Sequence, residues 1–472
     1  MPPETRPAPA RPLALPALPP AVWLQIAMLL CLVVGAFSHH PGPMRTAAAL
    51  AVVWIATQWR RLIPLARVFF ALATALGALA LAVAPATAPG LLASALVQGT
   101  GFAALMMVLG LLRQPVRRAE TTLAATEYLL AFPPRRRFAA LFAGAHFMSL
   151  MFNVGIIAMI GDLTQPRDGR DVSRDPARRA MVMAAMRGAA LVSIWSPIGL
   201  GFAIVSAGLP ALEPLRLVGA AFLFSAVAVA IGALWPLLPA EARMPRDTAP
   251  AADLQGSGAA LAVTLAISAG LLGATWAIHV GLGVGFTIAS VTVLPVFALI
   301  WLALESRHAA DGFGTRLGQA LAALADLRSE SAIFLSANVI GAVLSLALQA
   351  SPLWEALAGS RFAGLPLALA CLVAVPAAAA VYLPNSIVVV MGAQLLGHTP
   401  LGLEHPVALG LALCIGWGLA ICVSPISAMT LIAGRFCATS SRRIAHRWNL
   451  PYALLLLLLG AATVSLAYRL GL

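Results

Sequence analysis

Apolar runs of about 20 residues recur from Val22 to Leu470, separated by short loops. Each run is long enough to cross about 30 Å of hydrocarbon as a helix. The runs are rich in Ala, Leu and Gly and do not alternate apolar with polar residues, so they read as helices rather than barrel strands. Only 10% of the 472 residues are charged, against about 25% in soluble domains. The expected fold class is therefore an all-α polytopic membrane protein. The net charge of +13 does not point to nucleic acid. The basic residues stand in short clusters between apolar runs, as the positive-inside rule requires.

The five cysteines, Cys31, Cys371, Cys414, Cys422 and Cys437, show no C-x-x-C spacing. They suggest neither a zinc site nor a disulfide framework and read as small buried residues. Residues 1–20 are rich in Pro and Arg and are expected to be disordered. The apolar run after them lacks a small-residue cleavage site and reads as a retained first helix.

Loop charge gives the sidedness. Helices at about 21–38, 45–59, 62–86 and 90–112 place Arg60-Arg61 and Arg113, Arg117 and Arg118 on one side if the N-terminus is cytoplasmic. Residues 119–132 read as an interfacial helix. The run from Phe138 to Ile160 has basic clusters at both ends: Arg135-Arg136-Arg137, then Arg167, Arg170, Arg174, Arg178 and Arg179. A single crossing would export one cluster. A re-entrant hairpin with Asn153 at its tip keeps both inside.

Crossings follow at about 180–207, 212–238, 258–279, 283–305 and 332–350. The run from Leu365 to Leu396 is too long for one helix and is interrupted at Pro384-Asn385-Ser386. It reads as a second hairpin, entering from the other face. Crossings at about 407–435 and 451–470 complete eleven spans and two opposed hairpins in a bacterial-type inner membrane. Residues 21–238 form a first repeat with an extra helix, 239–257 a cytoplasmic linker, and 258–472 a second repeat.

Trp195-Ser196-Pro197-Ile198 echoes Val423-Ser424-Pro425-Ile426, and Ser424 follows Ser196 by 228 residues. Asn385 follows Asn153 by 232. Two polar interruptions recurring in one order, in segments of opposite orientation, mark an inverted repeat with its site near the midplane. Proline inside a membrane run removes a donor and clashes with the preceding turn. Serine is a good N-cap and proline suits the first helical position. Each Ser-Pro therefore predicts the start of a new half-helix, whose free N–H groups attract anions while the carbonyls of the preceding half can ligate a cation. Asn153, Asn385 and Ser386 are expected to cap half-helices at the hairpin tips. Gly155, Gly199 and Gly201 allow close backbone approach. Thr430, Ser427, Ser193, Ser336 and Asn338 are further pocket candidates, and Gln98-Gly99-Thr100-Gly101 is a weaker polar break.

No Asp or Glu falls well inside a predicted span, which counts against proton antiport through a buried carboxylate. Arg187 is either a counter-ion for an anion or a snorkelling residue, and His146 a packed hairpin residue. No P-loop, GxSxG or HExxH pattern has a supporting context, and no enzymatic activity is expected.

This layout resembles the ion transporter superfamily, in particular the divalent-anion/sodium symporters and the arsenite-permease-like members. Their hairpin tips carry a Ser-Asn-Thr motif, of which Asn153 and Asn385-Ser386 are the matching positions here. The resemblance implies a secondary transporter of a small anionic solute, working by alternating access. It implies that Asn153, Ser196, Asn385 and Ser424 converge on the pocket; Gly155, Pro197, Ser386, Pro425 and Thr430, from the breaks and tips read above, complete the expected binding set. It also implies Na⁺ or H⁺ as coupling ion, with Na⁺ near Asn153 and Asn385, and a homodimer. The alternatives are a permease subunit that needs a partner binding protein, and an envelope lipid flippase or transferase.

Overall fold

The computed structural model describes residues 18–165, 171–245, 256–306, 312–358, 360 and 362–472. The N-terminal segment up to residue 17, linker residues 246–255, and Arg167, Arg170 and Arg307 lie outside them. Among the described residues every regular element is helical, as the apolar runs require. In chain order come α1 Pro20–Phe37, α2 Pro41–Thr57, α3 Pro64–Val83, α4 Ala88–Arg118, α5 Glu120–Leu130, α6 Pro134–Phe152 and α7 Gly155–Leu163. Next are α8 Pro176–Trp195, α9 Leu200–Gly208, α10 Pro214–Leu234, α11 Gly258–Leu282, α12 Phe286–Ser306, α13 Phe313–Ala323, α14 Arg328–Gln349 and α15 Pro352–Ala358. The last are α16 Leu365–Ala380, α17 Asn385–Leu396, α18 Pro400–Glu404, α19 Pro406–Val423, α20 Ala428–Phe436, α21 Ser441–Arg443 and α22 Leu450–Arg469, with a π-helical turn Ile444–Asn449 before α22.

Among the described residues, ten segments are long and apolar enough to cross a membrane. They coincide with ten of the eleven predicted crossings; the eleventh, α2, has 17 residues. Proline opens helix after helix: Pro20, Pro41, Pro64, Pro134, Pro176, Pro214 and Pro406 each hold the first position. Their missing N–H costs nothing there, and their fixed φ suits the helix.

Two segments are broken in the middle. Pro176–Gly208 and Pro406–Phe436 are 89% and 94% buried, whereas the spans α1, α3, α10 and α11 are 22–33% buried. Helices apolar on every side belong in the interior, and these two form the centre. Two apolar stretches fold back on themselves. In the first, α6 ends at Phe152 and α7 begins at Gly155; in the second, α16 ends at Ala380 and α17 begins at Asn385.

The two hairpins open toward opposite ends of the molecule. Arg178, at the start of α8, donates to the Gly161 carbonyl near the end of α7 at 2.9 Å, and Gly161 packs on the Phe436 ring at the end of α20. The end of α7, the start of α8 and the end of α20 therefore lie together. At the other end, Gly397, just after α17, meets the Gly208 carbonyl at the end of α9. There the Ala408 amide donates to the Leu472 carbonyl at 3.2 Å, and Gly364, just before α16, lies against the Tyr468 hydroxyl. The broken helices thus run antiparallel, each from the feet of one hairpin to those of the other.

The repeat extends beyond the motifs that suggested it. A Cβ placed on Gly188 would lie 2.3 Å from the Phe142 carbonyl oxygen, a distance real atoms do not adopt. The backbones of α6 and α8 touch because this residue has no side chain. Gly416 follows Gly188 by 228 residues, the spacing that relates the two Ser-Pro pairs, and it seats α19 on Val375 of α16. Each broken helix is joined by an equivalent glycine to its own hairpin.

At the basic end, the Glu241 carboxylate takes hydrogen bonds from Arg443 at 3.1 and 2.7 Å and from the Trp448 indole at 2.8 Å. The Trp448 hydrogen bond, then those from Arg443, hold its carboxyl below the usual carboxylate range. A depressed folded pKa stabilises above the unfolded value, about 4.3 for Glu, and the benefit is lost as pH falls through the lower folded value. Wild type should therefore melt above Glu241→Gln at pH 6–7, and the gap should close below about pH 4. A gap unchanged across that range in detergent melting curves refutes the assignment.

Candidate functional site: the cavity at the helix breaks

A cavity of about 270 Å³ lies where the two hairpin tips and the two helix breaks meet. The tips supply Asn153, Val154 and Asn385. The breaks supply Ser193, Ser196, Gly199 and Leu200 on one side, and Ile421, Ser427 and Ala428 on the other. Met106 and Leu109 of α4, and Glu330 and Phe334 of α14, close the remaining wall.

The Ser-Pro motifs break their helices where expected but act differently from the expectation. Ser196 and Ser424 are the C-caps of the first halves, not the N-caps of the second. Proline cannot give its N–H to the preceding turn, so the helix stops there. The second halves start later, after Gly199 and after Ser427. Ser427 is a true N-cap: its Oγ accepts from the Thr430 amide at 3.1 Å. Thr430 in turn donates to the Ser424 carbonyl at 2.7 Å, which ties the break together from behind.

The hairpin tips also depart from the expected capping. Neither Asn153 nor Asn385 makes a side-chain cap; both line the cavity. Asn153 turns the first tip with φ 48° and ψ −124°, a backbone conformation that favours glycine. Tyr382 does the same at the second tip with φ 68°. The structural counterpart of Asn153 is therefore Tyr382, and Asn385 is the first residue of the following half-helix. Gly155, Pro197, Ser386, Ser424, Pro425 and Thr430 are not among the lining residues. Ser386 is buried, and Ser424 and Thr430 support the break as described.

Four half-helices begin at this cavity. Val154 precedes α7, Gly199 and Leu200 open α9, Asn385 opens α17, and Ser427 and Ala428 open α20. Each N-terminus presents unsatisfied N–H groups and about half a positive charge. Among the described residues, no Lys or Arg lines the cavity. Ser196, 2% exposed, has its hydroxyl on no partner. An unpaired buried hydroxyl costs free energy that a ligand can recover.

Sequence reasoning missed Glu330. It stands in the first turn of α14, which starts at Arg328, whereas the predicted crossing began at 332. Its carboxylate is exposed at the cavity wall. The first-turn acid complements the helix dipole, and that pattern was the available signal.

Arg187 is neither exposed nor on the cavity. It is fully buried, donating to Asn449 Oδ1 at 3.0 Å, to the Trp448 carbonyl at 2.7 Å and to the Pro236 carbonyl. The Tyr452 ring lies 4.5 Å from the guanidinium carbon. His146 is packed in the hairpin, with Nδ1 3.1 Å from the Gly188 carbonyl and Nε2 accepting from the Trp195 indole at 3.0 Å. The ring is thus the neutral tautomer carrying its proton on Nδ1.

No protein-family model matches this sequence, and no curated protein matches it. Among solved structures, the Alcanivorax borkumensis YdaH transporter is similar with a TM-score of 0.47 and 14% identity, covering 90% of this chain and 97% of that one.

Proposed function

We propose that this multi-pass membrane protein is a secondary active transporter of a small anionic solute, of the ion transporter superfamily type. The convergence of four half-helix N-termini on a cavity that, among the described residues, has no basic side chain supports this reading. Backbone N–H groups at helix ends bind anions without carrying a fixed full charge. That suits a carrier, which must release what it binds. The carbonyl ends of the first halves, together with Glu330, supply the oxygen ligands that a coupling Na⁺ needs, or Glu330 carries a proton. The wall containing Glu330 faces the end that bears Arg60, Arg61 and Arg328. By the positive-inside rule that end is cytoplasmic, so the Glu330 wall is the inward side of the cavity in a bacterial-type inner membrane.

The test uses purified protein and proteoliposomes. Small carboxylates, phosphate and sulfate are compared with neutral and cationic solutes, first as stabilisers in thermal melts and then as uptake substrates. At least one anion should raise the melting temperature and be taken up by the chain alone. Stabilisation by cations only would refute the anion site. With the anion in hand, Glu330→Gln should leave its stabilising effect in place and abolish the dependence of uptake on an inward Na⁺ or H⁺ gradient. Retained gradient dependence would remove Glu330 from the coupling role.

A further inference from the structure

A second cavity, of about 320 Å³, lies toward the opposite end, lined by Ser94, Gln98, Ser345, Gln349, Gln394 and His398. Four helices carry both cavities. On α14, Glu330 and Phe334 face the central cavity, and Ser345 and Gln349 the second. On α4, Met106 and Leu109 face the first, and Ser94 and Gln98 the second. The same order holds from Leu200 to Gly208 along α9 and from Asn385 to Gln394 along α17. The two spaces lie on one axis between these helices.

A cluster of amides stands between them. The Gln394 side-chain N–H donates to Asn338 Oδ1 at 3.1 Å and to Gln98 Oε1 at 3.4 Å. The Asn338 amide donates to the Ala95 carbonyl at 2.6 Å, and the Gln98 amide to the Ala207 carbonyl at 3.2 Å. Gln98 and Asn338 belong to α4 and α14. Gln394 and Ala207 belong to the hairpin and broken helix that carry the central site. The bonds are neutral, and each contributes modestly. Gln394 Oε1 has no partner, and neither has the Ser345 hydroxyl, whose residue is 5% exposed. Neutral bonds joining two bodies, with acceptor capacity left over, suit a contact that must break and re-form.

We propose that the second cavity is the outer mouth of the solute path and that Gln98, Asn338 and Gln394 form its closed gate. The mouth sets amides, hydroxyls and the His398 ring among apolar residues such as Leu91, Ala342 and Leu346, so it offers hydrogen bonds to a passing solute and leaves charge selection to the central site. This rests on the alternating-access part of the proposed function and not on the anion assignment.

Cysteine accessibility tests it without a known substrate. Full-length Ser94→Cys and Ser193→Cys are exposed to a membrane-impermeant thiol reagent in right-side-out and inverted vesicles, and peptide mass spectrometry reads the labelled site. Position 94 should react from one side and position 193 from the other. In Ser193→Cys carrying Gln98→Ala and Gln394→Ala, labelling of 193 from the side of 94 should rise about tenfold, as expected for losing two neutral hydrogen bonds. If that variant does not reach the membrane, Gln394→Asn, which keeps the amide one methylene short, should give a smaller rise in the same direction. Reaction of 94 and 193 from the same side overturns the mouth, and unchanged labelling of 193 in the gate variants overturns the gate. If opposite-side labelling holds while no anion binds, the path stands and the charge preference falls.

Discussion

Arg187→Met will lower the stability of the folded protein by about 3 kcal/mol or more, the largest single-residue effect expected away from the cavity. The guanidinium lies wholly inside the molecule, and its partners are an amide oxygen, two carbonyls and an aromatic face, with no carboxylate among them. Removing it strands Asn449 Oδ1 and the carbonyls of Trp448 and Pro236 in an apolar interior, each at a cost of about 1–3 kcal/mol. Relief of the buried charge offsets part of that sum. The arginine also joins α8 of the first repeat to the π-helical turn and α22 of the second, so its loss loosens the contact between halves. Thermal melting in detergent should show a midpoint lower by on the order of 5 °C. Arg187→Lys should recover only part of it, since an ammonium cannot reproduce the planar fork. A midpoint within about 1 °C of wild type would show that the node is not structural.

Asn153→Gly together with Asn385→Ala will abolish solute transport while leaving insertion and melting close to wild type. Glycine is the right replacement at 153 because the residue sits at φ 48°, a conformation that glycine adopts without strain. The change removes the side-chain amide and keeps the turn. At 385 the backbone is the first turn of α17, and alanine suits it. Both residues line the cavity at the starts of half-helices, where in the proposed carrier each amide gives hydrogen bonds to the solute in addition to the main-chain donors. Loss of two such bonds to the solute predicts a fall in uptake of about 100-fold or more. Uptake within about threefold of wild type would remove both residues from the site.

Much of the fold was legible because membranes permit so little. Apolar run length fixed the crossings, and loop charge located the first hairpin, whose two basic flanks could not both stay inside otherwise. The Ser-Pro pairs marked the breaks at Ser196 and Ser424. What they could not specify was the direction of the cap. The same dipeptide ends one helix and opens another, and the gap length depends on Gly199 and Ser427, which only packing selects. Asn385 was matched to Asn153 because asparagine recurs, while the turn itself fell on Tyr382, a residue with no propensity for positive φ. Glu330 was lost to a boundary error of a few residues, the least secure part of any helix reading. The amide cluster left separate traces, Gln98 in a polar break and Asn338 among the pocket candidates. Their meeting with Gln394 depends on tertiary contact between distant segments.

Four helix ends bring main-chain N–H groups to the central cavity beside its serines and asparagines. Side-chain substitution cannot delete a helix end, so in the proposed carrier the preference for one sign of charge is insulated from ordinary mutation. The walls built by Met106, Leu109, Phe334 and Leu200 have no such protection. Exchanging them should reshape the space, and so change the size of the cargo accepted, while the sign of its charge stays the same. Descendants of such a scaffold can diversify in what they carry without relearning how to hold it.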